Sequence, residues 1–128
     1  MNRKKYEVTK HMIIAASHQL KLPYNSPYNR LHGHNYSVSV HIEGDELNEN
    51  GILFDFKIIK DKIHGKLDHR NLNDIFDFHP TAENIAEWIS NTLQDVLDKE
   101  WGDDPLRPMV TLVEVKESEG NAACYRRN

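Results

Sequence analysis

An α+β fold is predicted by three features of the chain. Two long N-terminal stretches alternate apolar and polar residues as half-buried strands do, and two middle stretches carry apolar residues at helical spacing. Two shorter alternating stretches close the sequence. The predicted order is two strands, two helices, two strands, in a single domain covering residues 1–128. A chain of 128 residues holds a hydrophobic core of its own, which a partner subunit would help to complete.

From Tyr6 to His18 the even positions read Tyr6, Val8, Met12, Ile14, Ala16 and His18, broken only by Lys10, so an extended chain gathers them on one face. In the second strand, His34 to Ile42, one side carries His34, Tyr36, Val38, Val40 and Ile42. The other carries Asn35, Ser37, Ser39 and His41. Both apolar faces end in a histidine. Between them, Lys21 to Arg30 contains Pro23, Asn25, Ser26, Pro27 and Asn29, the composition of a loop.

Asp55 can cap a first helix whose apolar stripe is Phe56, Ile59, Ile63 and Leu67, with Gly65 near its end. A second helix begins after Pro80, with Thr81 as N-cap and Glu83 at the positive end of the dipole. Ile85, Trp88, Ile89, Val96 and Leu97 form its apolar face. Asp103-Asp104-Pro105 reads as a connector to a third strand, Met109 to Lys116. Glu119-Gly120-Asn121 turns the chain into a last strand through Tyr125.

Charged residues make up 28% of the chain and apolar ones 38%, a globular composition. A formal charge of -4, with the basic residues scattered, argues against nucleic acid as a direct partner. No apolar run approaches the roughly 20 residues needed to cross a bilayer. The basic Asn2-Arg3-Lys4-Lys5 is followed by too short an apolar run, Met12 to Ala16, to be a secretory signal. The single cysteine, Cys124, has no partner for an intramolecular disulfide, so a reducing cytoplasm is expected.

The sharpest local feature is His32-Gly33-His34. Residues two apart in a strand point the same way, and the glycine between them leaves room for an ion. Such a pair alone more often marks only a polar strand end. A neighbouring strand would bring His18 opposite it, giving three imidazoles and an open fourth position, the donor set of catalytic zinc. His11, His41, His64 and His79 read as ordinary polar residues. His69 follows Asp68, a carboxylate able to orient an imidazole. Glu117 continues the parity of Met109, Val113 and Val115, so its charge falls at the end of a buried face. Either a basic side chain or a ligand with adjacent N–H donors would satisfy it.

Several ordered motifs carry a resemblance over nearly the whole chain: Ala15-Ala16-Ser17-His18, Leu31-His32-Gly33-His34-Asn35-Tyr36, Phe54-Asp55-Phe56, and Leu67-Asp68-His69-Arg70-Asn71-Leu72-Asn73. Pro80-Thr81-Ala82-Glu83-Asn84-Ile85-Ala86 and Val115-Lys116-Glu117-Ser118 extend it. Together they resemble the 6-pyruvoyl tetrahydropterin synthase and 6-carboxytetrahydropterin synthase family. The resemblance implies the tunnelling fold, a four-stranded antiparallel sheet packed on two helices inserted between strands 2 and 3, with three sheets joined around a barrel. It further implies trimers, commonly stacked into hexamers, with active sites between subunits. His18, His32 and His34 would bind Zn2+, Glu117 would anchor the pterin ring, and Asp68 with His69 would relay protons.

One departure stands out. Synthases of this family carry a catalytic cysteine four residues before the first histidine of the His-Gly-His motif, and related members a glutamate three residues before it. This chain has Tyr28 and Asn29 at those positions. Tyr28 and Cys124 are the residues left to replace the thiol. The implied activity is a lyase acting on 7,8-dihydroneopterin triphosphate to give 6-carboxytetrahydropterin, on a route to 7-deazapurines such as queuosine. Formation of 6-pyruvoyl tetrahydropterin, side-chain cleavage, and a non-catalytic zinc- and pterin-binding role are the alternatives.

Overall fold

The structure is a computed structural model and describes residues 3–128; Asn2 of the basic N-terminal stretch lies outside them. The first strand covers the predicted residues, and the second extends two residues beyond its predicted bounds at each end. β1 (Tyr6–His18) and β2 (His32–Gly44) pair antiparallel along their full lengths, with His18 opposite His32 and Ala16 opposite His34. The predicted loop between them holds one 3-10 turn, Pro27–Asn29, started by Ser26 accepting the Tyr28 N–H.

The first predicted helix spans residues 56–67 and is named α1. It opens as Phe56–Ile59 under the Asp55 cap, widens into a π-helical turn over Lys60–His64, and closes as Gly65–Leu67. Ile59, Ile63 and Leu67 are buried as predicted, but Phe56 is half exposed, and Leu53 and Phe54 just before the helix are buried in the core instead. Two elements then follow that the sequence pattern did not indicate: β3 (Arg70–Asn71) and the short helix α2 (Leu72–Ile75). The long helix α3 (Ala82–Trp101) starts on Thr81, whose hydroxyl accepts the Asn84 N–H at 3.1 Å. It stops at Gly102, which adopts φ 61°, a left-handed conformation open to glycine. β4 (Met109–Ser118) and β5 (Asn121–Arg126) form the C-terminal hairpin.

The sheet is five-stranded and mixed, in the order β3-β1-β2-β4-β5, which corrects the expected four-stranded antiparallel sheet. The four long strands are antiparallel as expected; the fifth, β3, runs parallel to β1 beside Ala16 and Ser17. Alternation could not disclose it, because a two-residue strand has no period to read.

One sheet face packs on α1 and α3. Met12, Ile14 and Ala16 from β1, Tyr36, Val38, Val40 and Ile42 from β2, and Val110, Val113 and Val115 from β4 meet Ile59, Ile63, Ile85, Ile89, Leu93 and Leu97. Tyr6 was expected on this face, but it is exposed and burial starts inward of it, at half-buried Val8. The expected inward Met109 is also corrected. A register shift pairs His41 with Leu112 but Ile42 with Val110, so an extra residue bulges there and Val110 turns inward instead. Beyond the bulge Val113, Val115 and Glu117 keep the predicted parity. Buried Gln94 ties α3 to this region, accepting the Val110 N–H at 2.8 Å and donating to the Pro108 carbonyl at 3.3 Å. Among the described residues no helix is long and apolar enough to cross a membrane.

Candidate metal centre

β1, β2 and β4 bring residues of their inward faces together at one end of the sheet. His18 ends β1, His32 and His34 begin β2, and Glu117 lies near the end of β4. One ligand atom from each of these four residues lies within 4.8 Å of the others. The Nε2 atoms of all three histidines are buried without a hydrogen-bond partner.

The backbone fixes how two of the rings present themselves. His18 is 1% exposed, and its Nδ1 lies 2.7 Å from the Pro80 carbonyl, so Nδ1–H donates there and Nε2 keeps a free lone pair. His32 does the same through Nδ1 to the Arg30 carbonyl at 2.7 Å. The chain just beyond His18 is clamped by Asn73, which accepts from Gln19 N at 2.8 Å and donates to Gln19 O at 2.9 Å. α2 therefore secures β1 where it meets the site.

Burial holds His18 and His34 below the ordinary 6.5; the charge of Glu117 pulls both the other way but does not prevail. For His18 the Pro80 hydrogen bond also raises the value and the two neighbouring imidazoles lower it. Glu117 Oε1 stands 2.9 Å from His34 Nε2 and 3.9 Å from His18 Nε2. The shorter distance alone would suggest an imidazolium–carboxylate pair, whereas burial favours a neutral ring. The second reading is preferred, since the Glu117 contact does not satisfy His34 Nε2 as a hydrogen bond. Converging nitrogen lone pairs and a carboxylate repel one another unless a cation lies between them, so the donor set fits a divalent metal.

These depressed values have a consequence for stability. In the unfolded chain both rings take up protons as pH falls through about 6.5, while the folded protein resists protonation until lower pH. The stability contributed by keeping these two rings neutral is thus fully present above pH 6.5 and is lost progressively as pH falls towards their lowered folded-state values. Metal-free protein should melt at progressively lower temperature as pH drops from about 7.5 to 5.5. A melting temperature constant across that window would contradict neutral imidazoles at His18 and His34.

Asp68 and His69 lie outside this cluster, just before β3, on the side of β1 away from β2. They bracket one residue of that strand: Asp68 Oδ1 accepts the Ala15 N–H at 2.9 Å, and the His69 N–H donates to Ala15 O at 2.6 Å. His69 adopts φ 57°, a left-handed conformation costing a non-glycine residue about 1–2 kcal/mol. Its side chain is 83% exposed, with Nε2 3.4 Å from Asp68 Oδ2. His64, read from the sequence as an ordinary polar residue, stands 3.6 Å from the same oxygen. The i,i+4 spacing of His64 and Asp68 was the signal available for that contact.

Tyr36 was visible only as a core residue, yet its hydroxyl is buried without a partner and its ring stands edge-on to His18 and His34. Burial, and then the Glu117 charge, push its phenol above the ordinary 10.0. Tyr28 lies with its ring centroid 5.5 Å from that of His32. Asn29 is committed to the loop, its side chain accepting from Leu22 N at 2.8 Å and donating to Tyr24 O at 3.0 Å. Cys124 pairs with Glu114 across the hairpin and shares its parity, opposite to that of Val115 and Glu117. It therefore lies on the sheet face away from the centre of its own chain.

Residues 7–128 match the family model described as 6-pyruvoyl tetrahydropterin synthase. The chain is 34% identical over 128 residues to 6-carboxy-5,6,7,8-tetrahydropterin synthase of Bacillus subtilis, covering 94% of this chain and 85% of that protein. It is 42% identical over 82 residues to dihydroneopterin monophosphate aldolase of Pyrococcus furiosus, covering 62% of this chain and 67% of that one. Its fold matches a 6-pyruvoyl tetrahydropterin synthase structure from Caenorhabditis elegans with a TM-score of 0.71 over 100% of both chains, at 22% identity.

Proposed function

The chain belongs to the 6-pyruvoyl tetrahydropterin synthase family, and we propose that it is a zinc-dependent lyase converting 7,8-dihydroneopterin triphosphate into 6-carboxytetrahydropterin, on a route to 7-deazapurines such as queuosine. The observation that carries this reading is the convergence of three partnerless imidazole nitrogens beside a carboxylate. The B. subtilis relative, matched over most of both chains, supports the choice of product.

His18, His32 and His34 would hold the zinc, which when bound supplies Lewis acidity toward the oxygens of a hydroxylated pterin side chain. Glu117 would accept two N–H bonds from the pterin ring and its exocyclic amine, fixing which end of the substrate meets the centre. Asp68 faces His69 Nε2, which leaves His69 Nδ1 as the atom that takes a side-chain carbon proton and returns it. His69 is exposed and apart from the centre of its own chain, and the sheet ends in open edges at β5 and at β1 with its short β3. Both facts support a symmetric assembly, a trimer or hexamer, in which His69 serves a centre shared with a neighbouring subunit.

A second reading is side-chain cleavage. It is favoured by Tyr28 standing beside His32 in place of the usual cysteine and by the similarity to the P. furiosus aldolase. Mass spectrometry of products formed from 7,8-dihydroneopterin triphosphate by the zinc-loaded protein separates the readings. The first predicts 6-carboxytetrahydropterin, and a pterin shortened at its side chain would establish the second. 6-Pyruvoyl tetrahydropterin would identify the third family outcome. Unconsumed substrate, with zinc and pterin both bound, would mark a binding protein without turnover.

A further inference from the structure

Glu117 is placed for two tasks that it cannot perform together. Its Oε1 already sits within the histidine cluster, 2.9 Å from His34 Nε2 and 3.9 Å from His18 Nε2, so it belongs to the same donor set as the three imidazoles. Gripping two adjacent N–H groups of a pterin ring needs both carboxylate oxygens directed at the ring. A carboxylate with one oxygen committed to a cation lacks that second acceptor. Its surroundings offer it no Lys or Arg partner: among the described residues Glu117 forms ion-pair contacts only with His18 and His34.

We propose that Glu117 is a displaceable fourth ligand of the metal centre, which leaves the metal when it grips the ring of an incoming pterin. The inference rests on the proposed metal- and pterin-binding roles and deepens them by joining the two events. With the site empty of substrate, three nitrogens and one carboxylate oxygen complete a four-coordinate set, as closed zinc sites do. When the ring arrives, its N–H donors draw Glu117 away and leave a position free for the substrate's side chain. Ring recognition then becomes the condition for opening the centre, so molecules without the paired donors meet a closed site. The exchange also couples the two sites energetically: a bare ring and the metal compete for one carboxylate, and each weakens the other by the same factor.

The test uses cobalt in place of zinc in the intact protein, with 7,8-dihydropterin lacking any side chain as the probe. That probe offers the ring donors but no side-chain oxygens. Binding, followed by calorimetry, should be accompanied by a change in the visible cobalt spectrum. Glu117→Gln, close in shape, should bind cobalt about tenfold or more weakly and should show no spectral response to the probe. A probe that binds the wild-type protein without altering the cobalt spectrum would overturn the exchange while leaving the metal reading intact. Unchanged cobalt affinity in Glu117→Gln would also overturn it, as would failure of the probe to bind. Failure of the wild-type protein to bind cobalt at all would remove the metal centre itself, and the proposed function with it.

Discussion

Replacing His32 with alanine is expected to lower zinc affinity by more than about 100-fold while leaving the fold in place. Loss of an outer partner of a metal ligand already costs about 10–100-fold, and removal of a direct ligand should exceed it. His32 is the informative choice among the three. His18 is 1% exposed and holds the Pro80 carbonyl, so its truncation opens a cavity and orphans a buried acceptor. His32 is half-buried at the start of β2 and bonds only the neighbouring Arg30 carbonyl. Zinc affinity measured against a competing chelator, with melting of the metal-free proteins as the folding control, reads the effect. Retained affinity in a folded His32→Ala protein would sink the assignment of the metal ligands.

Replacing His69 is expected to lower turnover by about 10²–10⁴-fold, the usual contribution of a positioned acid–base group, with little change in pterin affinity. The backbone complicates the simplest variant. At φ 57° alanine is poorly accommodated, whereas asparagine tolerates the left-handed region. His69→Asn keeps the local chain and removes the imidazole; His69→Ala removes both. Equal loss of turnover in the two variants, with better stability in His69→Asn, would assign the loss to proton transfer. Unaltered turnover in His69→Asn would contradict the relay.

The convergence of His18, His32, His34 and Glu117 was readable in the sequence because a strand repeats every two residues. Once β1 and β2 were recognised, the parity that buries Met12, Ile14, Val38 and Val40 also dictates that His18 and His34 face the same side. Glu117 was legible for the same reason, through Val113 and Val115, even though its parity with Met109 fails. The bulge opposite His41 and Ile42 inserts one residue between Val110 and Val113, and alternation has no means of marking where a ladder slips. β3 escaped because its two residues are defined by their hydrogen bonds to β1, not by a pattern of their own. The contact of His64 with Asp68 follows from their i,i+4 spacing on one helical face, which polarity alone does not single out.

The replacement for the catalytic cysteine was beyond sequence reasoning for a different reason. Spacing shows that Tyr28 occupies the thiol's place, but only the fold shows Asn29 consumed by its own loop and Cys124 turned to the opposite sheet face. Tyr28 remains beside His32, the one of these three side chains that stands against the histidine cluster. That substitution is why product identity, and not family membership, decides between carboxypterin formation and side-chain cleavage.

The proposed activity requires a metal held by His18, His32 and His34 acting on a pterin. Turnover of 7,8-dihydroneopterin triphosphate should be measured on one preparation as purified, after exhaustive chelation, and after zinc is restored. The account predicts loss of turnover on chelation and its recovery with about one zinc per chain. Undiminished turnover by protein shown to be metal-free would contradict it.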